Sequence, residues 1–215
     1  MKRIFWRDAA WVDRPIAGAA CVLDVGAGGR RRAGQVTTMD RRALPETDVL
    51  HDAEVVPWPF EDNQFDYIIL SHVLEHCADM GAVLKELHRI AKPGACIRIV
   101  CPHFSNPCSQ VDVTHRHALS VLSLDIFCLA PVAAPVWALC LKRVLGCDMQ
   151  VDAIFRENLF RLQRRSLYFR EILWWTLLPL WANRWPEWYE VYGSRLFPAW
   201  AVYWELEVVK DRGFP

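Results

Sequence analysis

From residue 20 onward, short apolar runs alternate with helix-patterned stretches and with turns rich in glycine or acidic residues. This alternation constrains the chain more than any other feature, because strands joined by crossover segments pair in parallel. Ala20-Cys-Val-Leu-Asp-Val25 reads as a strand, and Gly26-Ala-Gly-Gly29 as the turn that follows it. Strands over 36–39, 49–50 and 65–70 come next, the first two running into Asp40 and into His51-Asp52. Between Asp79 and Ala91, the apolar Val83, Leu84, Leu87, Ile90 and Ala91 recur at helical spacing opposite Lys85, Glu86 and Arg89. Lys92-Pro93-Gly94 stops that helix, and a fifth strand over 96–101 ends at Pro102. Beyond it the pattern predicts a helix over 120–127, a strand over 150–160 and a final strand over 201–210, the last two suited to an antiparallel pair that closes the sheet. The intervening segment, about 161–198, is too long for a hairpin turn and rich in Trp, so it reads as a helical insertion covering something.

At 215 residues the chain suits one α/β domain with an elaboration. Lys plus Arg equals Asp plus Glu at 25 each, so no overall field draws in a polyanion, and nucleic acid is not an expected partner despite the local Arg30-Arg31-Arg32. The eight cysteines form no C-x-x-C, and several sit in apolar runs as Cys96 does, which points to a reducing cytosol. Charges break up the first apolar residues before any signal-type stretch forms. Segments 126–141 and 172–181 are strongly apolar, but both contain proline and fall short of the roughly 20 residues that span a bilayer.

In an open α/β sheet, ligands collect at the carboxyl ends of the strands. Asp24, Gly26, Ala27 and Gly28 follow the first strand, where glycines allow a tight turn and close backbone approach. Alone, that turn fits a plain loop, a dinucleotide site or another nucleoside cofactor. Asp40 ends the second strand, where paired ribose hydroxyls need a two-oxygen acceptor, and Asp52, with Ala53 and Glu54, follows the third at a place suited to an adenine amine, flanked by Pro57-Trp58-Pro59-Phe60. Three acids at three successive strand ends outweigh the reading of each as a helix cap or solvated turn. Ser71 serves equally as the cap of a following helix or as a cofactor contact.

Taken together, Val22-Leu-Asp-Val-Gly-Ala-Gly-Gly-Arg30, Asp40, His51-Asp-Ala-Glu54, Phe65-Asp-Tyr-Ile-Ile-Leu-Ser-His-Val-Leu-Glu-His76 and Leu87-His-Arg-Ile-Ala-Lys-Pro-Gly94 resemble the type 11 methyltransferases of class I, over about residues 20–103. Arg30 and Ala95 stand where many relatives have glycine. The resemblance implies a Rossmann-like, doubly wound, mostly parallel seven-stranded sheet with an antiparallel last strand. It implies a single domain over 1–215, with a cofactor-binding core at about 18–148 and a Trp-rich helical lid at about 161–198. It further implies S-adenosyl-L-methionine as cofactor, with Asp24, Gly26 and Gly28 at its methionine end, Asp40 at the ribose, Asp52 at the adenine, and Ser71 and His72 near the methyl group.

On the acceptor side, His76, His103 and His115 are the candidate bases, since imidazole titrates near neutrality. Asp112-Val-Thr-His115, continuing to Ser120, resembles a segment of type 11 relatives from glycan and cell-envelope biosynthesis, which makes Asp112, Thr114 and His115 candidate substrate ligands. Their bland alternative is to tie a loop to the sheet. The spacing of Cys101, His103, Cys108, Asp112, His115 and His117 matches no regular finger, so no metal is expected. The tryptophans of the insertion, interleaved with arginines, read first as a lid packed on the core and second as an apolar-acceptor or peripheral membrane contact. The resulting expectation is a methyltransferase acting on a small-molecule, glycan or lipid-linked acceptor, chiefly at oxygen. Its rivals are an NAD-dependent oxidoreductase and a cofactor-binding protein without catalysis.

Overall fold

The computed structural model describes residues 21–29, 32, 34–129, 157–170 and 177–210. Its core is one seven-stranded sheet built from β1 (Val22–Val25), β2 (Val36–Asp40), β3 (Val49–Leu50), β4 (Phe65–Ser71), β5 (Ala91–Pro102), β6 (Phe160–Tyr168) and β7 (Ala201–Val208), in the order β3-β2-β1-β4-β5-β7-β6. The first five strands run parallel, and β7 lies antiparallel to both β5 and β6.

β4 sits mid-sheet and is buried on both faces, which is why Phe-Asp-Tyr-Ile-Ile-Leu reads as a nearly unbroken apolar run. Alternation divides its residues between two apolar layers: Ile68 and Leu70 join the main core with Leu23, Val25 and Ile97, while Tyr67 and Ile69 meet Val100 and Tyr203 on the other face. Helix α1 (Met80–Ile90) covers the main core with Val83, Leu84, Leu87 and Ile90. Asp79 caps it by accepting from the Ala82 amide at 2.9 Å. At its other end His88 bonds the Val209 carbonyl at 2.8 Å, fastening the helix to the chain beyond β7. Glu86 accepts from the Trp58 amide at 2.7 Å, and Arg89 reaches the carbonyls of Phe60 and Trp58, so this polar edge of α1 holds the β3–β4 connection.

Three expectations for the second half need correction. Residues 120–127 form successive turns ending in the single 3-10 turn Asp125–Phe127 rather than a helix. Ser120 and Ser123 divert the backbone there, since the Ser120 amide donates to the Ser123 hydroxyl and the Leu122 amide to the Ser120 hydroxyl. The strand predicted to end at Phe160 instead begins there, and residues 150–156 lie outside the described set. The insertion is therefore only partly helical: 161–168 belongs to edge strand β6, whose Arg161 pairs with Glu207 at 3.1 Å and whose Arg165 pairs with Asp125 at 2.9 Å. Helix α2 (Leu178–Arg184) and the turns through Gly193 make up its described helical part; Trp174 and Trp175 lie outside the described residues, as does Arg30.

Candidate active site

A cavity of about 350 Å³, within the usual size range of small-molecule sites (~300–1,000 Å³), opens at the carboxyl ends of β1 to β4. Gly26 and Asp40 form its floor. Gly26 adopts a left-handed φ of +67°, and an added Cβ would lie 2.4 Å from Cγ2 of Val73, so this position is closed to any side chain. Its amide donates to the Met39 carbonyl at 2.7 Å, which pins the loop after β1 onto the end of β2. Gly28, also left-handed, donates its amide to Asp40 Oδ2 at 2.8 Å, while the Arg42 amide donates to Oδ1 at 2.9 Å. Burial alone would raise the Asp40 pKa, but these hydrogen bonds and the Arg42 guanidinium outweigh it and hold the carboxyl below its ordinary value. A fixed carboxylate with lone pairs to spare thus faces the cavity at the end of β2.

Asp52 lines the same cavity one strand further on. Its Oδ1 accepts from the Glu54 amide at 3.0 Å, closing an Asx turn that presents Asp52 and Ala53 together. Trp58 shapes that turn from below: it is 2 % exposed, and its ring nitrogen donates to the Ala53 carbonyl at 3.1 Å. The expected apolar flank for a ligand ring is thus partly core, because Trp58 is buried and Phe60 packs edge-on against Phe65 at 5.0 Å.

The opposite wall comes from the chain after β4 and from the 112–117 loop. His72 lines the cavity with a left-handed φ of 59°, rare for a side chain of this size, and its ring meets Glu75 at 3.2 Å. Ser71 ends β4 and is not among the lining residues, and the Leu74–His76 turn that follows has no side-chain cap. His76, Asp112 and Thr114 do line it. Thr114 Oγ1 lies 2.9 Å from His76 Nδ1 and 2.7 Å from Asp112 Oδ1, and the His115 ring sits edge-on to His76 with centroids 4.8 Å apart. The amides of Arg116 and His117 both donate to the Glu75 carbonyl, so the 112–117 loop is laced to the turn after β4. Cys77, also in the lining, is no nucleophile: burial, with Glu54 and Glu75 nearby, pushes its thiol up to about 12.

Of the predicted site residues, Ala27, Gly28, Ser71 and His115 are not among those lining the cavity, and neither are Asp24 and His103. Asp24 is 2 % exposed, points to the face of the sheet away from Leu23 and Val25, and is bound by Arg32 Nε at 2.6 Å; it does not line the cavity. His103 is fully buried rather than at the rim. Its Nδ1 bonds Ser105 Oγ at 2.7 Å and its Nε2 meets Glu190 Oε1 at 3.1 Å, while Glu190 also accepts from Ser120 Oγ and from the Val121 amide, both at 2.6 Å. Ser120 and Glu190 therefore lock the 120s turns and the 189–193 turn to the end of β5. Among the described lining residues none comes from 177–200. Sequence reasoning did not single out Arg42 or Val73, which also line the cavity; their signal was adjacency to Asp40 and to His72.

A methyltransferase-domain family model matches residues 23–99, the stretch that supplies the lining of this cavity apart from Asp112 and Thr114. Among curated proteins, a demethylmenaquinone methyltransferase of Staphylococcus saprophyticus is 47 % identical over 53 residues, 25 % of this chain and 22 % of that protein. One of Bacillus cereus is 38 % identical over 64 residues, 30 % and 26 % of the two chains. The chain thus spans about a quarter of the length of these relatives. Among solved structures, a chain of the complex between the Haloferax volcanii Trm112 methyltransferase activator and a methyltransferase aligns with a TM-score of 0.58 at 15 % identity, covering 100 % of this chain and 93 % of that one. A SAM-dependent methyltransferase of Archaeoglobus fulgidus aligns at 0.54 with 16 % identity, covering 94 % and 90 %. The [4+2]-cyclase SpnF aligns at 0.55 with 15 % identity, covering 95 % and 81 %.

Proposed function

We propose that this protein, with a methyltransferase-type core at residues 23–99 on a seven-stranded α/β sheet, is an S-adenosylmethionine-dependent methyltransferase. The observation that carries the reading is convergence: a side-chain-free Gly26 turn, the Asp40 carboxylate and the Asp52 turn, from three successive strands, face one cavity. The family match and the structural neighbours support S-adenosylmethionine as its occupant.

When bound, the cofactor supplies an electrophilic methyl group on a sulfonium. Asp40, ionised and anchored by two amides, binds the ribose hydroxyls, and Asp52 receives the adenine amine. Gly26 admits the methionine end against the backbone. Asp24, engaged by Arg32 on the other face, supports the loop instead of touching the cofactor. The acceptor approaches along His72, His76, Asp112 and Thr114, where alignment of the two reactants lowers the barrier. We assign it as a small molecule methylated at oxygen, with glycan intermediates and lipid-linked sugars as first candidates; the quinone named in the curated relatives is the alternative acceptor, and its ring would take the methyl group at carbon.

Calorimetry with S-adenosylmethionine and with NAD tests the cofactor: the first binds and the second does not. Asp40→Ala and Asp52→Ala each weaken binding at least about tenfold, the loss of one charge-assisted contact (~1.5–3 kcal/mol). Wild-type affinity in both variants overturns the proposal. Because the same fold serves a cyclase, release of S-adenosylhomocysteine across an acceptor panel is the measurement that separates transfer from mere binding.

A further inference from the structure

We propose that Glu75, His76 and His115 hold a divalent transition-metal ion, zinc by their chemistry, in the acceptor-side wall of the cavity. One donor atom from each lies within 4.8 Å of the others, although 39 residues separate the two histidines in sequence. Both rings are already turned for ligation. The Ser109 carbonyl, 2.8 Å from His115 Nδ1, can only accept, so Nδ1 carries the proton and the Nε2 lone pair is free; Asp112 Oδ2 lies 3.8 Å from that Nε2. The Thr114 hydroxyl has one proton, which goes to the Asp112 carboxylate at 2.7 Å. His76 Nδ1 must therefore donate to Thr114 at 2.9 Å, leaving its Nε2 free in turn. Oxygen partners that fix the outer nitrogen of each imidazole are the usual support of a histidine ligand.

Glu75 supplies an independent sign. It is fully buried, Oε1 meets His72, and the only other polar side chain against the carboxylate among the described residues is the weak donor Cys101, which leaves Oε2 without a conventional hydrogen bond. A buried carboxylate oxygen left unpaired is costly, and a cation beside it removes that cost. Two imidazoles and a carboxylate are the protein donor set of catalytic zinc, and of the three His76 lines the cavity. Bonds of about 2.1 Å place tetrahedral donors about 3.4 Å apart, so the loop holding His115 draws inward on binding. Any catalytic use rests on the methyl-transfer reading; the binding does not. The ion there lowers the pKa of an acceptor hydroxyl, whose proton leaves to solvent as its oxygen takes the methyl group and the C–S electron pair returns to sulfur.

The full chain, stripped with a chelator, is titrated with zinc by calorimetry and with cobalt by visible absorption. One ion binds per chain, and cobalt gives the intense bands of a four-coordinate site. His76→Ala, His115→Ala and Glu75→Gln each lower zinc affinity more than about a hundredfold, beyond the ~10–100-fold that loss of an outer partner costs, whereas Cys108→Ser, an exposed thiol nearby in sequence, leaves it unchanged. Circular dichroism checks each fold; should Glu75→Gln unfold, the histidine variants decide. No zinc binding, or equal binding by the His76→Ala/His115→Ala double variant, overturns the site. Calorimetry with S-adenosylmethionine on the same samples keeps the two readings apart: zinc without cofactor binding refutes methyl transfer alone, and the reverse refutes the metal alone.

Discussion

Replacing Gly26 with alanine tests whether the turn after β1 depends on a missing side chain. At φ +67° an L-residue carries a penalty of about 1–2 kcal/mol. The new Cβ would also lie 2.4 Å from Val73 Cγ2, more than 1 Å inside the ~3.5–4.0 Å contact distance of two carbons. Val73 is β-branched and stiff at χ1, so the overlap is relieved by backbone movement at a cost of about 1–3 kcal/mol. Gly26→Ala should therefore destabilise the fold by about 2–5 kcal/mol in urea unfolding. Val73→Ala removes the clashing methyl but not the φ penalty. The double variant should recover the overlap part, giving a coupling of about 1–3 kcal/mol between the sites. Cofactor affinity should follow the same cycle, because the loop that shifts carries Gly28 and its bond to Asp40. A cost under about 0.5 kcal/mol for Gly26→Ala, or strictly additive single variants, would refute the close-approach argument.

Glu190→Ala leaves His103, Ser120 and the Val121 amide without their common acceptor and should cost about 3–5 kcal/mol in chemical unfolding; Glu190→Gln, which keeps two acceptor lone pairs, should cost clearly less. Arg32→Met removes a charge-assisted hydrogen bond to the buried Asp24 and should destabilise by about 1.5–3 kcal/mol, yet change calorimetric cofactor affinity less than Asp40→Ala does, since Asp24 is not in the cavity lining. Burial alone would raise the Glu86 pKa, but Arg89 and the Trp58 amide hold it below its ordinary 4.5. Its contribution is thus fully present above 4.5 and lost as pH falls through the lower folded value. Unfolding of Glu86→Gln measured across this acid range should show a gap from wild type that narrows as pH drops, and a gap that widens would reverse the assignment.

Much of the fold was legible because its signals are local. The run Phe65 to Leu70 is apolar since both faces of β4 are covered, the α1 stripe repeats at helical spacing, and Asp79 caps a helix that ends at Ile90, two residues before Lys92-Pro93-Gly94. The strand-end rule likewise placed Asp40 and Asp52 at one cavity from sequence alone. Among the described residues no helix is long and apolar enough to cross a membrane; the apolar runs 126–141 and 172–181 lie only partly within them.

Long-range pairing decided the rest. Whether Phe160-Arg-Leu-Gln-Arg-Arg-Ser-Leu-Tyr168 is strand or lid depends on β7 lying alongside it, 30 or more residues away, and no periodicity records that neighbour. His103, His76 and His115 look alike as residues; burial against Glu190 withdraws the first, while Thr114 and Ser109 orient the other two toward Glu75. Strand periods and turn chemistry are written in neighbouring residues. The partner that fixes the role of an ionisable side chain sits tens of positions away, so its burial and hydrogen bonds exist only once the chain has folded.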